Sequence, residues 1–172
     1  MFNLINKTIA IDLCNTIADV KSEIELRLGH NPNPTNYFHP ALMDKPSFFK
    51  DNLDVFLNAN PIGNSVQKLN EWAKFNTVVY ITARPVEAKF VTKIWLKKNG
   101  YPEAPIYFTT NKVEVASMLG VNIAIEDSPY EIEGYMKAGF QVLVKAQEYN
   151  INFPNRFDWA EFKEVDKNVK CN

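Results

Sequence analysis

Five short apolar runs punctuate the chain, at 8–13, 77–82, 105–109, 122–125 and 141–144. Each is rich in Ile, Val, Phe or Tyr and nearly free of charge. That pattern suits strands buried on both faces of a parallel sheet. Amphipathic stretches lie between them. At 65–75, Val66, Leu69, Trp72 and Ala73 fall on one helical stripe, which reads as core. Helices are also predicted over 86–99, 112–119 and 130–138, and Gly100, Gly120 and Gly139 follow them as C-terminal stops. Lys97 and Lys98 sit in a last turn, where the helix dipole favours cations. The alternation of strand and helix predicts an α/β fold with a mostly parallel sheet.

One interval breaks this rhythm. More than 60 residues separate the first two strands, where a single crossover needs about 12. Within it, 18–28 and 46–57 read as helices, the second with Pro at its start, and 30–40 is a loop rich in Pro and Asn. The predicted organisation is an α/β core from 1–17 and 62–172 with a small helical insertion at 18–61. A final helix is expected at 157–169, carrying Trp159 and Phe162.

In an open parallel sheet, ligands collect beyond the carboxyl ends of the strands. The first strand ends in Asp12-Leu13-Cys14-Asn15-Thr16, and the second in Thr82-Ala83-Arg84-Pro85. Lys112 follows the third, and the fourth ends in Glu126-Asp127. Four strand ends thus offer a carboxylate, a hydroxyl, an ammonium and a pair of acids. Converging, they form a nucleophile, a phosphate-sized anion pocket and a site for a hard cation. Asp12 attacks phosphorus once a cation offsets the repulsion between carboxylate and phosphate. Asp127, with Glu126 beside it, holds that cation together with Asp12, and Mg²⁺ prefers such oxygen ligands. Lys112 and Thr82 place positive charge and a hydrogen bond where the transition state needs them. Lys112 also opens a helix, where a cation is disfavoured, which argues for an anionic partner. Glu126 has a second reading, as the partner of Lys112 alone.

The order Asp12…Thr16, Thr82, Lys112, Glu126-Asp127 resembles the four motifs of the haloacid dehalogenase (HAD) superfamily, over residues 7–145. The insertion at 18–61 resembles its C1 cap. Within the superfamily, Ile81-Thr82-Ala83-Arg84-Pro85, the small cap and the tail Tyr149-Asn150…Arg156…Trp159…Glu161 look most like the 5′(3′)-deoxyribonucleotidase-like group. The resemblance implies a Rossmann-like HAD core with a helical cap after the first strand. It implies a Mg²⁺-dependent phosphatase acting through an aspartyl-phosphate on small phosphate esters, with nucleoside monophosphates as candidate substrates. Asp12 becomes the nucleophile and a metal ligand, and Cys14 contributes its backbone carbonyl to the metal. Thr82, Ala83 and Lys112 bind the phosphoryl group, and Asp127 completes the metal site, with Glu126 a further candidate.

One departure matters. The superfamily's first motif is Asp-x-Asp-x-Thr, and its second acid is Cys14 here. That acid protonates the leaving oxygen and then activates water. A thiol has an ordinary pKa of about 8.5 and hydrogen-bonds weakly. Losing a general acid or base costs about 10²–10⁴-fold in rate. Anhydrides and acyl phosphates would suffer least. The alternative is therefore a catalytically weak or silent protein that binds a phosphorylated ligand for regulation. Cys14 also has two local readings, a reactive thiol and a small buried filler.

Other residues leave choices open. Arg84 is either a substrate-side residue or an ion-pair partner. Tyr37, Phe48, Phe49 and Phe56 either line a nucleobase pocket or form the insertion's own core. His30 and His39 lack metal-ligand spacing and read as solvated loop residues. Thr16 reads as a residue that orients its loop.

Composition narrows the classes. The 172 residues are 46% apolar and 23% charged, with a net charge of −1, so no duplex nucleic acid partner is expected. Sixteen of the 19 basic residues are Lys, and only Arg27, Arg84 and Arg156 are Arg. Cys14 and Cys171 form no metal or disulfide pattern. With no apolar run of membrane length and no signal-peptide pattern, the expectation is a cytoplasmic protein without a membrane partner. A two-component receiver fits poorly, because the acid pair follows the Lys. A dinucleotide-binding domain lacks its Gly-x-Gly-x-x-Gly.

Overall fold

A computed structural model of the chain describes residues 5–160. Its centre is a six-stranded parallel sheet in the order β3-β2-β1-β4-β5-β6. The strands are β1 (Thr8–Ile11), β2 (Thr77–Thr82), β3 (Ile106–Phe108), β4 (Ile123–Glu126), β5 (Gln141–Lys145) and β6 (Arg156–Phe157). The first five match the apolar runs. β1 is shorter than its run because the chain leaves the sheet at Asp12.

Side chains alternate between the two faces. Ile9, Ile11, Val78, Tyr80, Ile123, Ile125 and Leu143 point into one hydrophobic cluster. Ala10, Val79, Ile81, Ala124, Val142 and Val144 point into the other. Burial on both sides explains why the strands read as continuous apolar runs.

The helices are α1 (Val20–Leu28), α2 (Phe48–Asp51), α3 (Asp54–Asn58), α4 (Ser65–Ala73), α5 (Lys89–Lys98), α6 (Lys112–Met118) and α7 (Pro129–Lys137). Residues from α1, α3, α4 and α5 pack into the first cluster, and those from α6 and α7 into the second. No helix among the described residues is long and apolar enough to cross a membrane.

The interval after β1 contains α1, α2 and α3. The single helix expected at 46–57 is instead two short ones, because the chain breaks at Asn52-Leu53. The Asn52 side chain donates to the Phe48 carbonyl at 2.8 Å, closing the first helix. This segment shares the first core cluster: Val55, Phe56 and Ala59 are buried alongside Trp95. The Trp95 indole donates to the Ala59 carbonyl at 2.6 Å, tying α5 to the end of α3.

The tail differs from expectation. Phe157 lies in β6, which pairs with β5, and not in a helix. Trp159 is fully buried, and its indole donates to the Thr16 carbonyl at 2.7 Å. The rest of the helix expected at 157–169, with Phe162, and Cys171 lie outside the described residues.

Candidate active site

The order 3-2-1-4 places β1 at the middle of the sheet, flanked by β2 and β4. The loops leaving these three strands therefore meet at one edge, the expected place for a ligand. Each loop carries one of the sequence candidates.

The loop after β1 turns at Asn15, whose φ of 60° is left-handed, a conformation Asn tolerates better than most residues. Asn15 is held at both ends. Its side chain accepts from the Lys21 amide at 2.8 Å, and its carbonyl accepts from the Gln147 side chain at 2.8 Å. Asp12, just ahead of the turn, is buried.

Lys112 brings the separate strands together. It opens α6 and is buried, yet its ammonium donates to Asp12 Oδ1 at 2.6 Å and to Glu126 Oε2 at 2.8 Å. The anionic partner anticipated for this disfavoured Lys is the protein's own pair of carboxylates. Burial works against its charge, but Asp12 and Glu126 outweigh it and hold the ammonium well above its ordinary range. The remaining Glu126 oxygen accepts from the Asp127 and Ser128 amides, both at 3.1 Å. Both Glu126 oxygens are thus engaged, and the residue fixes Lys112 and the loop after β4 at once. Burial raises the Glu126 pKa well above the usual range, the Asp12 charge adds to this, and Lys112 opposes it.

Asp127 is fully buried. Its Oδ1 accepts from the Thr16 hydroxyl at 2.7 Å, and its Oδ2 accepts from the Tyr149 hydroxyl. Burial, with the Asp12 charge, pushes its carboxyl up to about 7, while Tyr149 and Thr16 pull it down. Thr16 therefore orients Asp127 as well as its own loop.

Oxygens of Asp12, Glu126 and Asp127 lie within 4.8 Å of one another. Three buried carboxylates face one buried ammonium, an excess of negative charge with only oxygen donors. Such a set fits a hard divalent cation, and the Asp12–Asp127 pair retains the most coordinating capacity.

Thr82 is fully buried at the end of β2, and its hydroxyl accepts from the Arg84 amide at 3.3 Å. Ala83 is exposed at the turn. Arg84 folds back toward the loop after β1. Its Nε donates to Cys14 Sγ at 3.2 Å, and its Nη1 donates to Thr92 Oγ1 at 3.1 Å. Its guanidinium carbon lies 4.5 Å from the centre of the Phe56 ring. Among the described residues it forms no ion pair, so the ion-pair reading of Arg84 is set aside. Burial raises the Cys14 thiol pKa, and the nearby Arg84 charge opposes this.

A cavity of about 240 Å³ opens over these groups. Asp12, Cys14, Thr82, Ala83, Arg84 and Lys112 form its floor, and the insertion forms its far wall. The insertion's aromatic residues divide. Tyr37, Phe49 and Phe56 reach the cavity, with Phe49 and Phe56 stacked at 5.5 Å. Phe48 is buried in the core cluster, which Phe56 also joins and Phe49 packs against.

The histidines are structural. His30 pairs with Glu25 at 2.9 Å on the surface. His39, expected to be solvated, is buried: its Nδ1 accepts from the Ala41 amide, and its Nε2 reaches the Gly29 carbonyl at 3.0 Å. That pairing engages both ring nitrogens within the protein.

Tyr149, which the sequence offers only as part of the tail pattern, joins this cluster through Asp127. It precedes β6, in a turn anchored by Asn150, which donates to the carbonyls of Asp127 and Lys145. Its ring meets Tyr37 edge to face at 5.2 Å, linking the acid pair to the insertion.

Comparison with solved structures shows the fold. A haloacid dehalogenase-like hydrolase of Streptococcus pneumoniae superposes with a TM-score of 0.57 at 15% identity, covering 83% of this chain and 85% of that one. The L-2-haloacid dehalogenase of Xanthobacter autotrophicus gives 0.54 at 15% identity, covering 84% and 80%. The chain has the haloacid dehalogenase fold. No family model matches it. Two sequence relatives bear the name "putative nucleotidase". The Bacillus cereus protein is 24% identical over 171 residues, 95% of this chain and 85% of that protein. The Oceanobacillus iheyensis protein is 31% identical over 93 residues, 49% of this chain, and the match spans only half of that protein's length.

Proposed function

We propose that this HAD-fold chain is a metal-dependent phosphoryl hydrolase in which Asp12 is the nucleophile. The observation that carries the proposal is the Asp12–Lys112–Glu126 triad. It holds one Asp12 carboxylate oxygen by a buried ammonium, and Asp12 lines the cavity together with Thr82 and Lys112. Lys112 and the Thr82–Ala83 turn would bind the phosphoryl oxygens. Asp12 and Asp127, with the Cys14 carbonyl, would hold Mg²⁺, and Glu126 would orient Lys112. The bound cation would neutralise phosphoryl charge as the carboxylate approaches. Attack by Asp12 forms an aspartyl-phosphate, and water then releases phosphate and restores the carboxylate.

Residues 18–61 would act as the cap that closes over the substrate and selects it. The names of the relatives, with the Phe49–Phe56 stack in the cavity wall, favour small phosphorylated molecules, with nucleoside monophosphates among the candidates to test. A panel of nucleotides, sugar phosphates and acetyl phosphate tests this. Phosphate release with Mg²⁺ and not with EDTA is the expected result, and the best substrate defines the class.

Cys14 favours a second reading. A buried thiol, which hydrogen-bonds weakly, is a poor proton donor to a leaving oxygen. If no compound in the panel is turned over while phosphate binding remains Mg²⁺-dependent, the chain is a ligand-binding member of the fold.

A further inference from the structure

Arg84 is the unusual cation of the site. It is 4% exposed, and its Nη2 is buried without a hydrogen-bond partner among the described residues. Its other two nitrogens are held by neutral groups, Cys14 Sγ and Thr92 Oγ1, and its flat face rests on Phe56. A buried guanidinium that lacks a carboxylate is costly unless an anion completes it. Arg84 lines the same cavity as Asp12, Thr82 and Lys112. It is tethered to the side chain two residues after the nucleophile, the position at which a proton donor to the leaving group is absent. A fixed cation there stabilises negative charge that develops on a departing oxygen, without transferring a proton.

We propose that Arg84 binds the leaving oxygen of the substrate in place of a general acid, which selects phosphoryl compounds whose leaving group departs as a stable oxyanion: acyl phosphates, phosphoric anhydrides and aryl phosphates. This rests on the phosphoryl-hydrolase reading and specifies its substrates. In the first step the Asp12 carboxylate forms a bond to phosphorus. The bond from phosphorus to the leaving oxygen breaks, and its electron pair stays on that oxygen against Arg84. In the second step water bonds to phosphorus and the bond to Asp12 breaks. Asp12 returns as a carboxylate, and both water protons leave with the phosphate. Neither step needs a protein proton donor to the leaving group. Alkyl monoesters, nucleoside monophosphates among them, become the slow substrates of the site.

The test is the dependence of rate on leaving group. Phosphate release from substituted phenyl phosphates, nitrophenyl through methoxyphenyl, is measured with Mg²⁺ for the wild type, Arg84→Met, Arg84→Lys and Asp12→Asn, each with a melting curve. The expected result is a steeper dependence in Arg84→Met. Its loss is at least about tenfold greater for methoxyphenyl than for nitrophenyl phosphate, and Arg84→Lys recovers part of the difference. An equal loss across the series in a folded Arg84→Met, or in Arg84→Lys should Arg84→Met not fold, overturns the assignment. The hydrolase reading survives that result if Asp12→Asn is inactive. No turnover of any aryl phosphate by the wild type overturns both.

Discussion

At the scale of single residues, the site is a balance of buried charges. Lys112 is the only cation touching Asp12 and Glu126 among the described residues. Lys112→Met removes it and leaves two carboxylates buried together. Breaking such a pair costs about 3–5 kcal/mol, so chemical denaturation should show a loss of that order together with loss of phosphate binding. Asp127 makes the balance depend on pH. Its folded pKa of about 7 exceeds the ordinary value of about 3.9. Between those values the folded state keeps a proton that the unfolded chain has released, so the metal-free protein loses stability as pH rises through this window. A cation competes for the same carboxylate. Mg²⁺ should therefore raise the melting temperature more at pH 8 than at pH 5.5, and an equal rise at both would count against Asp127 as a ligand. Cys14→Asp restores the missing acid. Turnover of an alkyl monoester should rise, by up to about 10²–10⁴-fold, and no rise in a folded variant would show that the thiol does not limit the rate.

At the scale of elements, the strands were legible because each is buried on both faces, and the site because each strand end carries one chemical group. What escaped the sequence has physical causes. β6 is two residues long, one of them exposed Arg156, so no apolar run marks it. Trp159 looked like a helix stripe but is held by the Thr16 carbonyl, a contact across 143 positions that no local pattern encodes. Tyr149 gains its role only because its turn packs behind Asp127. In the insertion, the apolar periodicity of 46–57 was real, but the Asn52 side chain ends the first helix by capping its carbonyl. Phe56 joins this segment to the site. It is 2% exposed and supports Arg84. Phe56→Ala should cost about 3–5 kcal/mol, measured by urea unfolding, and should reduce turnover further by freeing Arg84.

At the scale of the molecule, the sheet order converts four distant stretches of sequence into one cluster. The loop after β1 is held by Lys112 from α6, by Gln147 from the turn before β6, and by Trp159 from beyond it, among other contacts. The insertion meets this cluster through Tyr37 on Tyr149 and through Phe56 under Arg84. The fold and the acid–lysine constellation could be read from the sequence. Which aromatic residues of the insertion reach the cavity could not, because Phe48 and Phe49 are neighbours whose rings touch at 5.3 Å, and only Phe49 lines the cavity. The central claim is that Asp12 performs covalent phosphoryl transfer with a divalent cation. The most direct measurement is phosphate release from acetyl phosphate by the wild type with Mg²⁺, with EDTA, and by Asp12→Asn with Mg²⁺. Release is expected in the first case, with its loss by about 10³-fold or more in the other two. Release that persists in folded Asp12→Asn would contradict the claim.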